Sequence, residues 1–443
     1  MERHHYRDTV FALSSGAGVA GVAVIRLSVP QVTAGLEGML GGVPQPRKAV
    51  VTDIRDANGL VLDRGIALFF PGPHSFTGED CAELQVHGGH AVIAAVLKCL
   101  GCIDGFRSAE PGEFTRRAFE NGKMDLTAVE GLADLLAAET EMQRRVALDQ
   151  TSGALRDLYT SWRDELIRIR AMIEADFDFA DEEDVPGSVS DTIWPAVTRL
   201  KTQIGTHLTA ADAGEIIRDG FRVVIVGAPN AGKSSLLNAL AKRDVAIVSP
   251  EMGTTRDVLE VRLDIGGYPV TVSDTAGLRE GAGAIEQEGI RRAHAAAARA
   301  DLVLILEDLS APVGDIVTPD PHIPALKVGS KSDIGKPDSG RRYDCLISVR
   351  GDEGLVGLIA LVGQRVAEAA GSTASQLPNR QRHREYLQRC VEAIEDAIEN
   401  DSAPLELRAE SLRQAGDALG RLTGHIDVED LLDVIFKEFC IGK

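Results

Sequence analysis

One stretch of the sequence, a strand, a glycine-rich loop and a helix in succession, constrains the fold of this chain most. The β-branched run Phe221 to Val226 predicts a buried strand, GAPNAGKS at Gly227 to Ser234 a loop, and the following SSLLNALAK a helix. Loop N–H groups and a helix N-terminus in this order surround phosphate oxygens. Lys233 would neutralise the β and γ phosphates, and the Ser234 hydroxyl would hold Mg²⁺. The pattern therefore predicts a P-loop on an α/β sheet.

The rest of the chain divides by its hydrophobic periodicity. A length of 443 residues favours two or three domains. Short strands predict a mixed α+β N-terminal domain over 1–122, and helical spacing predicts a helical domain in two parts, 123–213 and 372–443. Strands alternating with helices over 214–371 predict an α/β domain with a parallel sheet, which carries the P-loop and is inserted between those parts. The fold class is thus α/β and α, in several domains.

Composition limits the function. The 47 Lys and Arg against 67 Asp and Glu give a net charge of −20, which argues against a general nucleic-acid coat or a membrane-surface binder. Any RNA contact must then come from local basic patches or from a partner. No apolar run approaches the roughly 18 to 20 residues that cross a bilayer, and the N-terminus lacks a secretory signal. We therefore expect a cytoplasmic protein that does not bind membranes.

Three downstream segments turn the P-loop into a predicted GTPase. GTTRD offers Thr255 as a switch ligand for magnesium. A predicted hairpin with a two-glycine turn then delivers Asp274 of DTAG at a strand end, where its carboxylate can orient the metal's water. Gly277 of the same motif can swing toward the γ-phosphate.

The choice of base is predicted from VGSKSD. Asp333 can accept hydrogen bonds from guanine N1–H and the exocyclic amine, whereas adenine would leave the carboxylate unpaired. GTPases usually carry Asn where this chain has Ser330, which costs one contact to the guanine edge and affects affinity more than identity. Ser348 and Val349 resemble a degenerate copy of the last base-supporting loop.

The residue that positions the attacking water is not the usual one. Many GTPases place Gln directly after DTAG, but here that residue is Leu278, which cannot hold water. Asn230 in the P-loop could instead offer an oxygen to a potassium ion beside the phosphates, with backbone carbonyls from Ser249 to Gly253 closing over it. The alternative is that Asn230 only shapes the loop, and the residues alone leave both possibilities open.

The domain order, the P-loop segments and the C-terminal IFKEFCIGK resemble the MnmE (TrmE) family of potassium-dependent tRNA modification GTPases over essentially the whole chain. The resemblance implies that 214–371 is a Ras-like P-loop GTPase domain. It also implies a homodimer whose N-terminal domains bind 5-formyl- or methylene-tetrahydrofolate. It implies a heterotetramer or larger complex with an FAD-dependent MnmG protein. That complex adds an aminomethyl or carboxymethylaminomethyl group to carbon 5 of the wobble uridine of certain tRNAs.

The resemblance also implies residue roles. Glu286, which otherwise reads as an exposed glutamate at a helix start, becomes the acid that orients water, and Cys440 of the tail serves either chemistry or packing. Lys233 and Asn230 complete the implied catalytic set. The implied metal ligands are Ser234 and Thr255 for magnesium, and Asn230, Ser249, Glu251 and Thr254 for potassium. The implied GTP contacts are Asn230, Ala231, Gly232, Lys233, Ser234, Ser235, Ser249, Pro250, Glu251, Met252, Gly253, Thr254, Thr255, Asp274, Thr275, Ala276, Gly277, Ser330, Lys331 and Asp333. The implied folate contacts are Arg26, Glu83, Lys123 and Lys443.

The sequence also admits two further interpretations. A GTP-controlled switch in RNA or ribosome assembly, without one-carbon chemistry, would share the P-loop but have no use for a folate site. The glycines at positions 16, 18 and 21 match a dinucleotide-binding fingerprint. A strand is predicted directly after them, however, where a pyrophosphate site needs a helix. We therefore interpret these glycines as a connection between strands.

Overall fold

The computed structural model describes most of the chain in two compact units. The described residues are 8–16, 18–28, 32–178, 190–247, 260–274, 298–311, 320–337, 340–371, 376–426, 432, 435–436, 439 and 442. Several predicted site residues lie outside them: 249–255, 275–277, Glu286, Cys440 and Lys443. The first unit comprises Met1–Ala133, Gln150–Asp164 and Gly416–Lys443, and the second comprises Asp134–Asp149 and Glu165–Ala415.

The first unit contains a six-stranded sheet in the order β3-β4-β5-β2-β1-β6. Neighbouring strands are antiparallel, except that β1 and β6 are parallel. The strands are β1 (Thr9–Leu13), β2 (Ala20–Ser28), β3 (Val50–Arg55), β4 (Val61–Phe70), β5 (Cys81–Gly88) and β6 (Phe106–Ser108); the helices among them are α1 (Val32–Leu40), α2 (His90–Leu100) and α3 (Glu113–Glu120). β2 begins at Ala20 and contains Gly21, so the strand predicted at the glycines at positions 16, 18 and 21 is confirmed in place of the helix that a dinucleotide site needs.

Alternation along β2 and β5 decides which side chains face the core of this unit. Ile25 and Leu27 of β2 pack with Leu84 of β5 and with α1 and α2 in one apolar cluster. Because successive side chains in a strand point to opposite faces, Arg26 and Glu83 lie together on the other face. The hydrophobic pattern therefore fixes where these two charged side chains can act.

The second unit contains a six-stranded sheet in the order β12-β11-β10-β7-β9-β8, parallel except for the antiparallel β8–β9 pair. Its strands are β7 (Phe221–Gly227), β8 (Glu260–Ile265), β9 (Tyr268–Asp274), β10 (Leu302–Asp308), β11 (Ala325–Ser330) and β12 (Cys345–Leu346); the helices α9 (Lys233–Ala241) and α10 (Leu355–Ala370) pack on it. Gly266 and Gly267 form the predicted turn, with φ of 65° and 87°.

The carboxyl ends of three parallel strands bring the predicted nucleotide residues to one edge of this sheet. Gly227 ends β7, Asp274 ends β9 and Ser330 ends β11. Ligands of open α/β sheets bind in the crevice outside such strand ends. The buried, mostly apolar strands thus hold a polar edge in a fixed arrangement.

Further helices make up the remainder of the described chain: α4 (Leu126–Ala137), α5 (Glu141–Thr151), α6 (Ala154–Asp178), α7 (Ser190–Thr209), α8 (Ala211–Asp219), α11 (Gln381–Glu399) and α12 (Leu405–Thr423). In the second unit α7 packs along α11, where Lys201 and Glu395 form an ion pair of 2.9 Å. Within the described ranges, no helix is both long and apolar enough to cross a membrane.

Asp134 joins the two points where the chain enters and leaves the P-loop sheet. Its Oδ1 accepts hydrogen bonds from Arg218, just before β7, and from Arg380, after α10, at 3.2 and 2.7 Å. Its Oδ2 accepts one from the Asn379 amide at 3.2 Å. One carboxylate thus fixes both crossing points within the second unit.

The loop before α5 and the start of that helix also hold the β8–β9 hairpin. The Met142 N–H donates to the Gly267 carbonyl at 3.0 Å, and Arg262 of β8 donates to Glu139 at 3.2 Å. Because β9 ends in Asp274, this contact fixes the hairpin that carries a predicted site residue.

Candidate functional site

The P-loop is shaped by two glycines and an asparagine. A Cβ on Gly227 would lie 2.3 Å from the Leu306 carbonyl oxygen, so only glycine fits beside β10. Gly232 precedes α9 with a φ of 99°, and Asn230 adopts a φ of 65°, which asparagine tolerates better than most residues. Gly232 has no side chain to cap α9, so the first N–H groups of that helix can receive an anion.

Lys233 places its ammonium group at this loop. The residue is 6% exposed, and its Nζ donates to the carbonyls of Gly227 and Ala228 at 3.0 and 2.9 Å. The lysine therefore brings a buried positive charge to the end of β7. Such a charge beside a helix N-terminus suits a phosphate group.

Ser234 and Asp274 form the part of the site that could hold magnesium. The Ser234 hydroxyl donates to Asp274 Oδ2 at 2.6 Å, and Asp274 is 5% exposed at the end of β9. Hydroxyl and carboxylate oxygens are ligands that Mg²⁺ accepts, directly or through water. The predicted second protein ligand, Thr255, lies outside the described residues. Ser235 follows on the first turn of α9.

The predicted base-recognition residues follow β11. The Ser348 hydroxyl donates to Asp333 Oδ1 at 2.7 Å, while the Gly351 N–H donates to that hydroxyl at 2.9 Å. Ser348 is fully buried, whereas Asp333 is exposed. The serine predicted as a remnant of a supporting loop thus orients a carboxylate that remains open to a ligand.

Lys331 lies between Ser330 and this carboxylate. It adopts a φ of 58°, and its Nζ lies 2.5 Å from Asp308 Oδ2 at the end of β10. Burial raises the pKa of Asp308, but hydrogen bonds from Lys331 and Ser310 outweigh it, so the net pKa is lowered. Asp308 therefore stays ionised and holds Lys331 over the strand ends.

The predicted folate residues of the first unit form an ion pair instead of standing apart. Arg26 and Glu83 are directly opposite in the β2–β5 register, with Arg26 Nη2 3.0 Å from Glu83 Oε1. The Arg26 guanidinium also lies 5.1 Å from the centre of the Phe76 ring. A cation, an anion and an aromatic face are thus available together on the face of the sheet opposite its apolar core.

Lys123 and the C-terminal tail reach the same unit. Lys123 is exposed and its Nζ donates to the Pro73 carbonyl at 3.0 Å, in the loop that also carries Phe76. In the tail, the Gly442 carbonyl accepts a hydrogen bond from the Ser14 hydroxyl at 2.8 Å. A Cβ on Gly442 would lie 2.2 Å from the Leu13 carbonyl, so the tail passes close to the end of β1.

A polar network beside this group was not predicted from the sequence. Glu79 accepts a hydrogen bond from the Ser28 hydroxyl at 3.1 Å and lies 3.6 Å from Arg117, which is fully buried. Burial raises the pKa of Glu79, although Arg117 and Ser28 oppose the shift. Phe76 was also missed. The segment PHSFTGED, an aromatic residue within a proline- and glycine-rich loop, was the available signal.

The second unit also contains a cavity of about 230 Å³. It is lined by residues of the α4–α5 segment, α8 and the β8–β9 hairpin, including Glu139, Arg218 and Arg262. None of its lining residues is a predicted nucleotide or folate contact. The cavity is therefore separate from the predicted nucleotide and folate contacts and lies beside the Asp134 and Glu139 hydrogen bonds described above.

A P-loop on a mostly parallel sheet, an aspartate at the end of β9 and a carboxylate oriented after β11 define a P-loop protein of the GTPase class. A family model described as "MnmE helical domain" matches residues 126–440, and one described as "GTP-binding protein TrmE N-terminus" matches residues 9–123. The chain belongs to the MnmE (TrmE) family. It is accordingly a GTPase enzyme of tRNA modification.

Curated relatives resemble the chain over nearly its whole length. It is 56% identical over 438 residues to the tRNA modification GTPase MnmE of Rhizobium etli (strain CIAT 652), covering 98% of this chain and 99% of the relative. It is 54% identical over 438 residues to that of Brucella anthropi, covering 99% and 98%. Among solved structures, the G domain of the T. maritima FeoB iron transporter is 22% identical over 34% of this chain and 99% of that chain, with a TM-score of 0.24. A similarity that low bears on neither fold nor function.

Proposed function

We propose that this chain binds GTP at the strand ends of its second unit and uses hydrolysis to drive modification of the wobble uridine of certain tRNAs. The observation that carries the proposal is the convergence of Lys233, the Ser234–Asp274 pair and Asp333 on one sheet edge. These groups match the phosphate, metal and base requirements of GTP. We assign the G domain to 214–371, between helical parts 123–213 and 372–443, with 1–122 as the folate domain.

The proposed steps use the groups of this chain in order. Lys233 and the N–H groups of the P-loop bind the phosphates, Ser234 and Thr255 hold magnesium, and Asp333 fixes the guanine. Magnesium bound there would offset the negative charge that develops on the phosphates. Glu286 orients the attacking water, the role for which Leu278 is unsuited. The remaining predicted GTP contacts surround the same phosphates and base.

We infer that a potassium ion, held by Asn230 with Ser249, Glu251 and Thr254, stabilises the transition state in place of an arginine. Replacing potassium with sodium should then lower GTP turnover by at least about tenfold, because a group placed at developing charge has effects of that size or more. Asn230→Gly should remove this dependence, since glycine keeps the positive φ of 65° but lacks the amide oxygen. Turnover in KCl and NaCl checks both expectations.

The glycine variant also separates the two roles left open for Asn230. If the residue only shapes the loop, Asn230→Gly will keep the potassium dependence of the unsubstituted chain. Equal turnover of the unsubstituted chain in both salts would remove the potassium site from the proposal. Binding of GDP by Asn230→Gly serves as the control that its P-loop is intact.

We further propose that the first unit binds a tetrahydrofolate that supplies the one-carbon unit. Glu83 would accept hydrogen bonds from the pterin ring with Arg26 beside it, because the two side chains lie 3.0 Å apart. Lys123 and Lys443 would attract the glutamate tail at the other end of the folate. The ion pair supports this assignment, because Glu83 holds Arg26 beside Phe76 with the two charged side chains only 18% and 21% exposed. An aromatic face at this position is suited to a flat ring.

Calorimetric titration with 5-formyl-tetrahydrofolate tests the folate site. We expect Arg26→Ala to weaken binding by about thirtyfold or more, because it removes a cation and leaves Glu83 without its ion-pair partner. Arg64→Ala is the matched control, since Arg64 is 74% exposed on the same sheet. No binding by the unsubstituted chain would favour the alternative of a GTP-controlled switch in RNA or ribosome assembly.

The proposed partners follow from the family. We infer that the chain acts in the cytoplasm as a homodimer and assembles with an FAD-dependent MnmG protein into a heterotetramer or larger complex. That complex would add the aminomethyl or carboxymethylaminomethyl group to carbon 5 of the uridine. Cys440 is proposed to act near the folate, either in the chemistry or in positioning the tail, because Gly442 contacts the end of β1.

A further inference from the structure

The buried hydroxyl of Ser330 connects the base-recognition segment to the P-loop. Ser330 is the last residue of β11 and is 4% exposed. Its Oγ lies 2.6 Å from the Ala231 carbonyl oxygen in the P-loop and 3.1 Å from the Glu307 carbonyl oxygen in β10. Both neighbours are acceptors, so the hydroxyl can only donate in these contacts, and its one hydrogen is available to them. Ser330 therefore ties the end of one strand to the loop that follows another.

A serine hydroxyl has a single hydrogen, and that limits what this position can do. The shorter distance, 2.6 Å, assigns the hydrogen chiefly to Ala231. Guanine N7 is also an acceptor. An asparagine amide has two hydrogens and could serve the P-loop and N7 together, whereas Ser330 could reach N7 only by giving up a buried hydrogen bond.

The N1–H and 2-amino edge of guanine, opposite N7, has its hydrogen-bond acceptor in Asp333. Asp333 presents a carboxylate that Ser348 orients at 2.7 Å, and it is exposed to a ligand. A carboxylate accepts from guanine N1–H and the 2-amino group but has nothing to offer N7. Ser330 at the end of β11 and Asp333 in the loop after it thus have separate tasks, one structural and one in recognition.

We propose that Ser330 is a positioning residue that ties the P-loop to β11, and that guanine N7 is not recognised at this position. Guanine is then selected through its N1 and 2-amino edge by Asp333. This inference rests on the proposed binding of GTP at these strand ends. It assigns the unusual serine a function, where the sequence alone indicated only a lost contact.

The analogue 7-deaza-GDP, which has a C–H in place of N7, tests the proposal on the full-length chain. Affinities for GDP and 7-deaza-GDP are measured by competition against a fluorescent GDP. The unsubstituted chain should bind both within about twofold. Ser330→Asn should bind GDP about two- to tenfold more tightly than 7-deaza-GDP, the range expected for one regained hydrogen bond.

Two serine variants separate the roles of the loop residues. Ser330→Ala should weaken GDP and 7-deaza-GDP by the same factor, because it frees the P-loop without changing base contacts. It should also leave the ratio of GDP to IDP affinity unchanged, since IDP lacks only the 2-amino group. Ser348→Ala should lower that ratio, because it acts through Asp333. If both serines served only folding, Ser330→Ala and Ser348→Ala would not differ in their effect on the ratio of GDP affinity to IDP affinity.

The outcomes distinguish a failure of this inference from a failure of the proposed GTP binding. Binding of GDP with at least about fivefold weaker binding of 7-deaza-GDP by the unsubstituted chain would overturn the inference alone, since such a loss matches one hydrogen bond to N7. A lower ratio of GDP affinity to IDP affinity in Ser330→Ala than in the unsubstituted chain would also overturn the inference. Failure to bind either GDP or 7-deaza-GDP would overturn the proposed GTP site together with the inference. The comparison of GDP with 7-deaza-GDP uses the unsubstituted chain, so the test remains valid even if a variant misfolds.

Discussion

Lys233→Ala should lower the rate of GTP hydrolysis by about 10²- to 10³-fold or more, the effect of removing one preorganised group from developing charge. The lysine is 6% exposed, and its ammonium is held by the carbonyls of Gly227 and Ala228 at the end of β7. Alanine leaves the loop without its cation, so GTP affinity should fall as well. Phosphate release at increasing GTP concentration measures both effects.

A matched control lies at the other end of the same helix. Lys242 caps α9 and is exposed, so Lys242→Ala removes the same charge without touching the P-loop. Its turnover should remain within about twofold of the unsubstituted chain, since surface charges of this kind contribute little. Equal turnover of Lys233→Ala and Lys242→Ala would contradict the placement of the phosphates at this loop.

Asp333→Asn should lower the affinity for GDP by at least about 10²-fold and raise that for xanthosine diphosphate. The carboxylate accepts from N1–H and the 2-amino group of guanine, whereas an asparagine amide presents a donor toward that amino group. Xanthine carries an oxygen there and suits the amide. Competition binding with the two nucleotides measures the change in preference.

An exposed aspartate elsewhere in the unit provides the comparison. Asp320 closes a turn before β11, where its carboxylate accepts from the His322 N–H at 3.0 Å. Asp320→Asn should retain the preference for GDP. Should Asp333→Asn keep it too, the base would have to be recognised by other residues, and the assignment of this loop would be wrong.

Local patterns explain what the sequence could predict. The P-loop, its strand and the hairpin turn at Gly266 and Gly267 depend on residues close together in the chain, and the structure has each of them where it was expected. The strand predicted at the glycines at positions 16, 18 and 21 was likewise confirmed. In each case the residue types that define the element are contiguous.

Long-range contacts explain what the sequence could not predict. The ion pair between Arg26 and Glu83 was not predicted, because the β2–β5 register places them opposite each other and no local pattern specifies that register. The bonds from Asp134 to Arg218 and Arg380 also join residues far apart in the chain. The hydrogen bond from Ser330 to Ala231 has the same origin, since it spans two strand ends that only the folded sheet brings together.

The nucleoside content of tRNA from a strain lacking this chain shows directly whether the chain uses GTP hydrolysis to modify tRNA. We expect the deletion to remove the modification at carbon 5 of the wobble uridine, the unsubstituted chain to restore it, and Lys233→Ala to fail although the protein is present. Unchanged nucleosides in the deletion strain, or full restoration by Lys233→Ala, would contradict a tRNA modification driven by GTP hydrolysis.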